Sequence, residues 1–463
     1  LVKKNPLHII KADRKAERFV LPQVIRNGDA YTKLSILIMG AANLCRGQIV
    51  KGLIFLAIEI SFIYYMIVTG ITSLVNMTTL GTQTQGWVYD ETLGIDVLTQ
   101  GDNSMLLLLF GVVSIVVIIL FILAWRANLK SALEVQSLKE QGKKVPGFID
   151  DIKAYFDSKL NRTLLTLPMI GILAFTVLPL IYMILVAFTN YDNAHQPPGN
   201  LFTWIGLENF KTILGSGGTI SKTFWPILGW TITWAVFATG LNYIGGILLA
   251  LLINQKGIKC KALWRTIFVM SIAIPAFVSL LVIRTMLQPE GAVNVLLKQL
   301  GLISKSIPFL TSATGAKITV ILVNLWIGIP YTMLITSGIL MNIPADLYEA
   351  ARVDGASVRK MFTKITMPYV FFVTTPYLIT QFIGNINNFN VIYLLTKGEP
   401  STLAYYQAGK TDLLVTWLYK LTVNSKDYCY ASAIGIIVFI ISAVFSLIAY
   451  RRTSSYNNEE EFQ

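Results

Sequence analysis

Two short polar patterns stand inside otherwise apolar stretches. Gln381, Asn385 and Asn388 lie at i, i+4 and i+7, with Gly384 beside them. Asn324, Gly328 and Tyr331 repeat that spacing, with Trp326 and Ile327 adjacent. Each spacing puts its members on one face of a helix. Amides hydrogen-bond hydroxyls in both directions, and tyrosine adds a flat apolar ring and a hydroxyl. Neutral amides with an aromatic and no charge suit a neutral polyol such as a sugar better than an ion. Hydrogen bonding between the two helices accounts for the same spacing equally well, because amides inside membranes often pair across helices. Asn387 and Asn390 fall off the pattern and read as structural.

A third feature is a polar loop, Asp346-LYEAARVDGASVRKMFTKITM-Pro368. Pro344 suits a helix start, and Asp346 falls in the favourable first turn. Gly355 permits the positive φ of a sharp turn. A second short helix over 357–366 would align Val358, Met361, Phe362 and Ile365 on one face, with Pro368 ending it. A helix–turn–helix with an apolar stripe is built either to dock into a partner or to lie on its own bundle. No phosphate-binding loop accompanies it. The nearest string, Ala404-YYQA-Gly409-Lys410-Thr411, has Ala where the motif requires Gly. No catalytic constellation appears, so energy for any work must come from elsewhere.

The elements that must carry these patterns are membrane helices. The 463 residues are 54% hydrophobic and only 14% charged, against about 25% charged in soluble domains. Several apolar runs exceed the roughly 20 residues that cross a hydrocarbon core. Eight spans are expected, near 49–70, 105–125, 164–187, 227–253, 266–287, 318–341, 369–395 and 431–450. Segments on one side of these spans hold 28 Lys and Arg, those on the other nine. The basic side is cytoplasmic, which puts both termini and the 346–368 loop inside and explains the net charge of +13 without nucleic acid. Residues 1–33 lack an apolar leader, so the first span is expected to serve as an uncleaved targeting signal. At 1.5 Å per residue, Gln381 lies roughly 18 Å and Asn385 roughly 24 Å from the inner edge, and Asn324 to Tyr331 roughly 9–20 Å below the outer edge. The two stripes can therefore meet in the outer half of the membrane. Cys45, Cys260 and Cys429 match no metal pattern and predict no disulfide. Glu59, mid-way along the first span, is a functional candidate by default, but a structural role is expected for it. Trp87 reads as an interface anchor.

Glu349-Ala350-Ala351, then Asp354-Gly355 and Ile365-Thr-Met-Pro368, closely resemble the EAA loop of ATP-binding-cassette importer permeases. Val323-NLWIGIPY-Thr332 and Gln381-FIGNINNFNVIYLLTKG-Glu399 resemble the MalF-type maltose and maltodextrin permease family. The resemblance runs from about Leu164 to Arg452, and the short loop over 188–226 matches the compact Gram-positive form. It implies an all-α polytopic fold: a type I importer permease core over 164–452, with its coupling loop at 344–368. Outside that core stand a cytoplasmic segment (1–48), two accessory helices (49–125), a cytoplasmic connector (126–163) and a tail (453–463). It implies a sugar site of Asn324, Ile327, Gly328, Tyr331, Gln381, Gly384, Asn385 and Asn388, where Gln381 and Gly384 replace a Ser and a Phe of the enterobacterial pattern. It implies ATPase contacts through Glu349, Ala350, Ala351, Asp354, Gly355, Phe362, Ile365 and Pro368. The chain itself would hold no cofactor, since ATP and Mg would sit on a dimer of ATPase subunits. Further implied partners are a MalG-like second permease, an extracellular lipoprotein that binds the sugar, the oligosaccharide and the bilayer. The cargo would be a maltodextrin, or else a galacto- or raffinose-type oligosaccharide. An ion-driven secondary transporter would need internal repeats and intramembrane charges, and a docking scaffold would carry no cargo.

Overall fold

About 20 helical residues span hydrocarbon, and the computed structural model can be measured against that length. It describes residues 20–255 and 257–451; residues 1–19 and the tail expected at 453–463 lie outside the described residues. In chain order the long helices are α1 (Ile49–Thr79), α2 (Ser104–Glu140), α3 (Thr163–Val186), α4 (Thr219–Asn254), the pair α5 (Lys261–Ala273) and α6 (Ala276–Met286), α7 (Ala313–Asn342), α8 (Met367–Ile386) and α9 (Tyr428–Arg451). Among the described residues, six of these are long and apolar enough to cross a membrane: α1 to α4, α7 and α9. The pair α5 and α6, bent by 86°, makes a seventh if it is one span. Helix α8, diluted by Thr374, Thr375, Thr380, Gln381 and Asn385, is not among them. By length and composition six or seven spans are established among the described residues, and the expected count of eight is not confirmed.

The chain divides into two compact units, up to Trp204 and from Ile205. In the first, α1 and α2 run as an antiparallel pair. Phe62 stacks on Phe121 with centroids 3.8 Å apart, and the Tyr65 hydroxyl meets Ser114 Oγ at 2.9 Å. Counting back along this register sets Glu59 opposite Leu120 to Ala124, just short of Trp125, the last apolar residue before Arg126. Glu59 therefore sits near the inner end of the apolar zone, whereas the sequence placed it mid-span; the reason is that α1 continues to Thr79 through a π-turn at Met66–Gly70. Its Oε2 accepts the Met39 N–H at 2.8 Å, a structural use.

Between α1 and α2 stands a hairpin that the span reading passed over. Strand β1 (Gly86–Asp90) pairs antiparallel with β2 (Ile95–Thr99), Trp87 opposite Leu98 and Tyr89 opposite Asp96. Gly94, at φ +66°, supplies the turn. Trp87 is exposed on β1. At the hairpin's base the Asp102 carboxylate accepts the N–H groups of Thr82 and Gln83, which hold its carboxyl below the usual range. Helix α2 runs unbroken past Trp125 to Glu140.

In the second unit, α4 and α7 approach closely. A Cβ on Gly246 would collide with Thr332, and one on Gly245 would press into Ile329; small residues permit such backbone contact between membrane helices. Trp230, Trp234, Leu280, Val320, Ile392 and Leu413 gather in one apolar core three to four turns further along α4 and α7. Outside it, the loop after Leu395 is fastened by buried Asp412, which binds Lys420 Nζ at 2.6 Å and accepts the Gly409 N–H at 2.7 Å. Gly246→Val is expected to lower the thermal stability of the purified protein by about 1–3 kcal/mol, the cost of overpacking. Gly240→Val, where a Cβ meets open space, is expected to leave it unchanged. Equal melting temperatures for the two variants would contradict this packing.

Candidate functional site

The broken elements of the second unit meet around one cavity. Helices α5 and α6 part at Ile274-Pro275, whose ring cannot continue the helical hydrogen bonds. Helix α8 ends at Ile386, and a short helix, Phe389–Leu395, starts anew. Asn388 is the N-cap of that second helix, its Oδ1 accepting the Val391 N–H at 3.2 Å. Gln381, Asn385 and Asn388 therefore do not share one helix face, as the sequence spacing assumed. They reach the cavity from both sides of a helix break.

The cavity measures about 410 Å³, within the range of small-molecule pockets. Seven of the eight residues singled out from sequence line it: Asn324, Ile327, Gly328, Tyr331, Gln381, Asn385 and Asn388. Gly384 does not. Thr239, Asn242, Ser271, Tyr377 and Asn390 also line it. Asn390 was set aside as structural because it lies off the helical period, and the break at Asn387 is what turns it inward. Asn242 on α4 gave a weaker signal, as one amide in an apolar run. No Asp, Glu, Lys or Arg is in the lining.

The amides divide by what they already hold. Asn385 is buried and committed: its Nδ2 donates to Thr239 Oγ1 at 3.0 Å. Its Oδ1 accepts from Asn388 Nδ2 at 3.3 Å, and its carbonyl accepts the Trp234 indole N–H at 3.1 Å. Asn324 Nδ2 and Asn242 Oδ1 are buried without a protein partner, one a donor and one an acceptor. Buried polar groups are normally paired, so these two are free for a ligand bearing hydroxyls. Gly328 is obligatory beside them, since a Cβ there would overlap the Asn242 amide. Half of Tyr331 is exposed, and its ring centroid lies 6.0 Å from that of Tyr377, whose hydroxyl meets Thr332 Oγ1 at 3.1 Å. Two tyrosine rings and a set of neutral amides form a surface for a polar, uncharged molecule.

At the other end of α7 stands the polar loop. Helix Ala345–Val353 leads to Gly355 at φ +73°, the sharp turn expected. Ser357 caps the next helix, Val358–Met361. That helix does not stop at Pro368; it passes through a π-turn, Phe362–Thr366, into α8. Of the two readings left open for the apolar stripe, it takes the one that lies on its own bundle. Met361 is buried and Phe362 and Ile365 half-buried, leaving only Val358 exposed. Tyr348 Oη and Thr366 Oγ1, 2.8 Å apart, bind the two helices. The outward surface is Glu349, Ala350, Val353, Asp354, Gly355 and Val358, with Val353 88% exposed. Ala351 is half-buried and Pro368 exposed. Ala404–Thr411 forms no strand–loop–helix: a bridge between Ser401 and Gly409 closes it, and Lys410 Nζ lies 4.0 Å over the Tyr405 ring.

Comparison with known proteins places these features. Residues 242–453 match the family described as binding-protein-dependent transport system inner membrane component. The chain is 34% identical to the maltodextrin transport system permease protein MdxF of Bacillus subtilis, over 92% of this chain and 95% of that protein. It is likewise 34% identical to the galactooligosaccharide transport system permease protein GanP of the same organism, over 91% and 97%. Among solved structures it resembles a chain of a bacterial alginate ABC transporter in complex with an alginate pentasaccharide-bound periplasmic protein. There the TM-score is 0.53 at 25% identity, over 67% of this chain and 98% of that one.

Asn385→Leu is expected to cost about 1–3 kcal/mol of stability, because it strands Thr239 and Asn388 in a buried network. Asn324→Leu, which strands nothing, is expected to leave thermal unfolding of the purified protein unchanged. The reverse ranking in a thermal-shift measurement would contradict the division of the amides.

Proposed function

The chain belongs to the family of inner-membrane components of binding-protein-dependent transport systems, and from that premise we propose that it forms the path for a neutral oligosaccharide of maltodextrin type. It is a membrane permease subunit of an ATP-binding-cassette importer and not an enzyme. One observation carries the sugar reading: a cavity lined by neutral amides and tyrosines, with an unpaired buried donor and acceptor and no charged side chain. Asn324, Asn242 and Gln381 would hydrogen-bond sugar hydroxyls, and Tyr331 would lie against a ring face. Asn385 and Asn388 would hold the helix break in shape, a positioning role beside any contact with cargo. An acidic polysaccharide such as the alginate of the structural neighbour would leave its carboxylates without a cation here, at a high cost in a desolvated site. The galactooligosaccharide relative keeps a second neutral cargo in view, since the same hydrogen-bonding groups serve both.

In this reading a second permease completes the path, two ATPase subunits bind ATP and Mg, and a sugar-binding protein delivers cargo from outside. Both termini and the 344–368 loop face the cytoplasm. The outward surface around Glu349, Val353 and Gly355 would seat in the ATPase, and closure of the ATPase pair would move α7 and α8, the two helices leaving that loop. Phe362 and Ile365, turned inward, would brace the loop against the bundle.

The test is reconstitution of the complex with its binding protein across a panel of sugars. Neutral oligosaccharides are expected to stimulate ATP hydrolysis and uptake, maltodextrins most. Uptake driven by an ion gradient without ATP would overturn the reading. Asn324→Leu is expected to weaken sugar recognition by about tenfold, the ~1.4 kcal/mol of one hydrogen bond. Gly355→Pro, which cannot adopt the observed positive φ, is expected to abolish uptake while the protein still inserts; normal uptake by that variant would remove the loop from coupling.

A further inference from the structure

Residues 34–45 read Leu-Ser-Ile-Leu-Ile-Met-Gly-Ala-Ala-Asn-Leu-Cys, without a charge between Lys33 and Arg46. The sequence reading left this stretch in a cytoplasmic tail. The structure gives it the two properties of a segment in lipid. The first is an apolar outer surface: Leu37 is 78% exposed, with Leu34 and Ile38 exposed beside it. The second is that the protein closes backbone polar groups that water would otherwise serve. Trp125 Nε1 donates to the Ile36 carbonyl at 3.0 Å, and Asn128 Nδ2 donates to the Ser35 carbonyl at 2.9 Å. Asn128 Oδ1 accepts the Gly40 N–H and Glu59 Oε2 accepts the Met39 N–H, both at 2.8 Å. Ser35 Oγ accepts the Ala42 N–H at 2.8 Å. Irregular backbone survives at membrane depth only when protein satisfies it in this way.

The partners also set the depth. Trp125 is the last apolar residue of α2 before Arg126, and Glu59 lies opposite Leu120 to Ala124, just short of it, in the α1–α2 register. Long side chains reach back towards the helix N-terminus, so the Glu59 carboxylate sits at the inner edge of the apolar zone. From these observations we infer that residues 34–45 form a re-entrant segment seated in the inner leaflet, latched to the accessory helices by Glu59, Trp125 and Asn128, with Leu37 and Ile38 among the lipid chains. Its partner is the bilayer itself. This gives the two accessory helices a role as the frame of an anchor, and it gives Glu59 a purpose that neither cargo nor ATPase requires.

The test reads depth directly. Spin labels are placed by Leu37→Cys and Ile38→Cys after Cys45, Cys260 and Cys429 are replaced by Ala, and the full complex is reconstituted in phosphatidylcholine–phosphatidylglycerol vesicles. Ile63→Cys on the lipid face of α1 and Lys143→Cys beyond α2 serve as references. Both labels are expected to collide with oxygen in preference to a water-soluble nickel chelate, at a ratio near that of Ile63 and several-fold above that of Lys143. A ratio matching Lys143 would overturn the proposal, and so would shielding from both reagents, which would mean that protein covers the segment. Glu59→Leu, which removes the Met39 acceptor, is expected to move the Leu37 label towards water. Glu59→Gln, whose amide oxygen still accepts, is expected to leave it in place. An unchanged label in Glu59→Leu would remove the latch.

Discussion

No water competes for a polar group in the core of a bilayer, so each donor and acceptor there must be closed by protein or stand ready for a ligand. That constraint orders the molecule. Where helices break, side chains step in: Asn388 caps the restart after α8, and Trp234 takes the Asn385 carbonyl. Where a chain segment lies irregularly against α1 and α2, Glu59, Trp125 and Asn128 do the same. In the cavity lining of the second unit, Asn324 Nδ2 and Asn242 Oδ1 are buried without a partner, and there a hydroxyl-bearing guest would complete the hydrogen bonding.

The site and the loop are two ends of the same helices. From Tyr331 to the end of α7 at Asn342 is a rise of about 17 Å, and from Met367 to Gln381 on α8 about 21 Å. The tyrosine hydroxyl joining Tyr348 to Thr366 makes the loop a stiff unit between them. In the proposed coupling, a push on Glu349 and Val353 would be delivered to α7 and α8 together. The helices of the cavity wall are interrupted at Pro275 and Asn387. The α4–α7 crossing is closely packed at Gly246, which is buried and small.

Much of this was legible in the sequence because helical period and membrane depth are both set by residue count. Asn324, Gly328 and Tyr331 share one face of unbroken α7, as their spacing indicates, while Ile327 and the reading of the stripes as one site came from the family resemblance. Gln381 and Asn385 likewise share a face by their spacing. Period failed where the helix does: Asn390 and the capping role of Asn388 depend on a break that no proline announces. Conversely, Pro275 does announce one, and the apolar run around it still read as a single span. The stripe of Met361, Phe362 and Ile365 was correctly amphipathic but turned towards its own bundle, because the helix continues into α8 and must bury that face. Glu59 was misplaced in depth because hydropathy marks where an apolar run begins and not which part of it lies in lipid. Pairing with α2 supplies that register.

The central claim is that the amide-lined cavity holds the cargo while the ATPase pair is closed. The most direct measurement is a cryo-EM structure of the complex trapped with a non-hydrolysable ATP analogue, its binding protein and a maltodextrin. The account predicts sugar density lying on Tyr331 and hydrogen-bonded to Asn324, Asn242 and Gln381. Sugar bound elsewhere in the path, with this cavity filled by lipid or by a helix of the second permease, would contradict it.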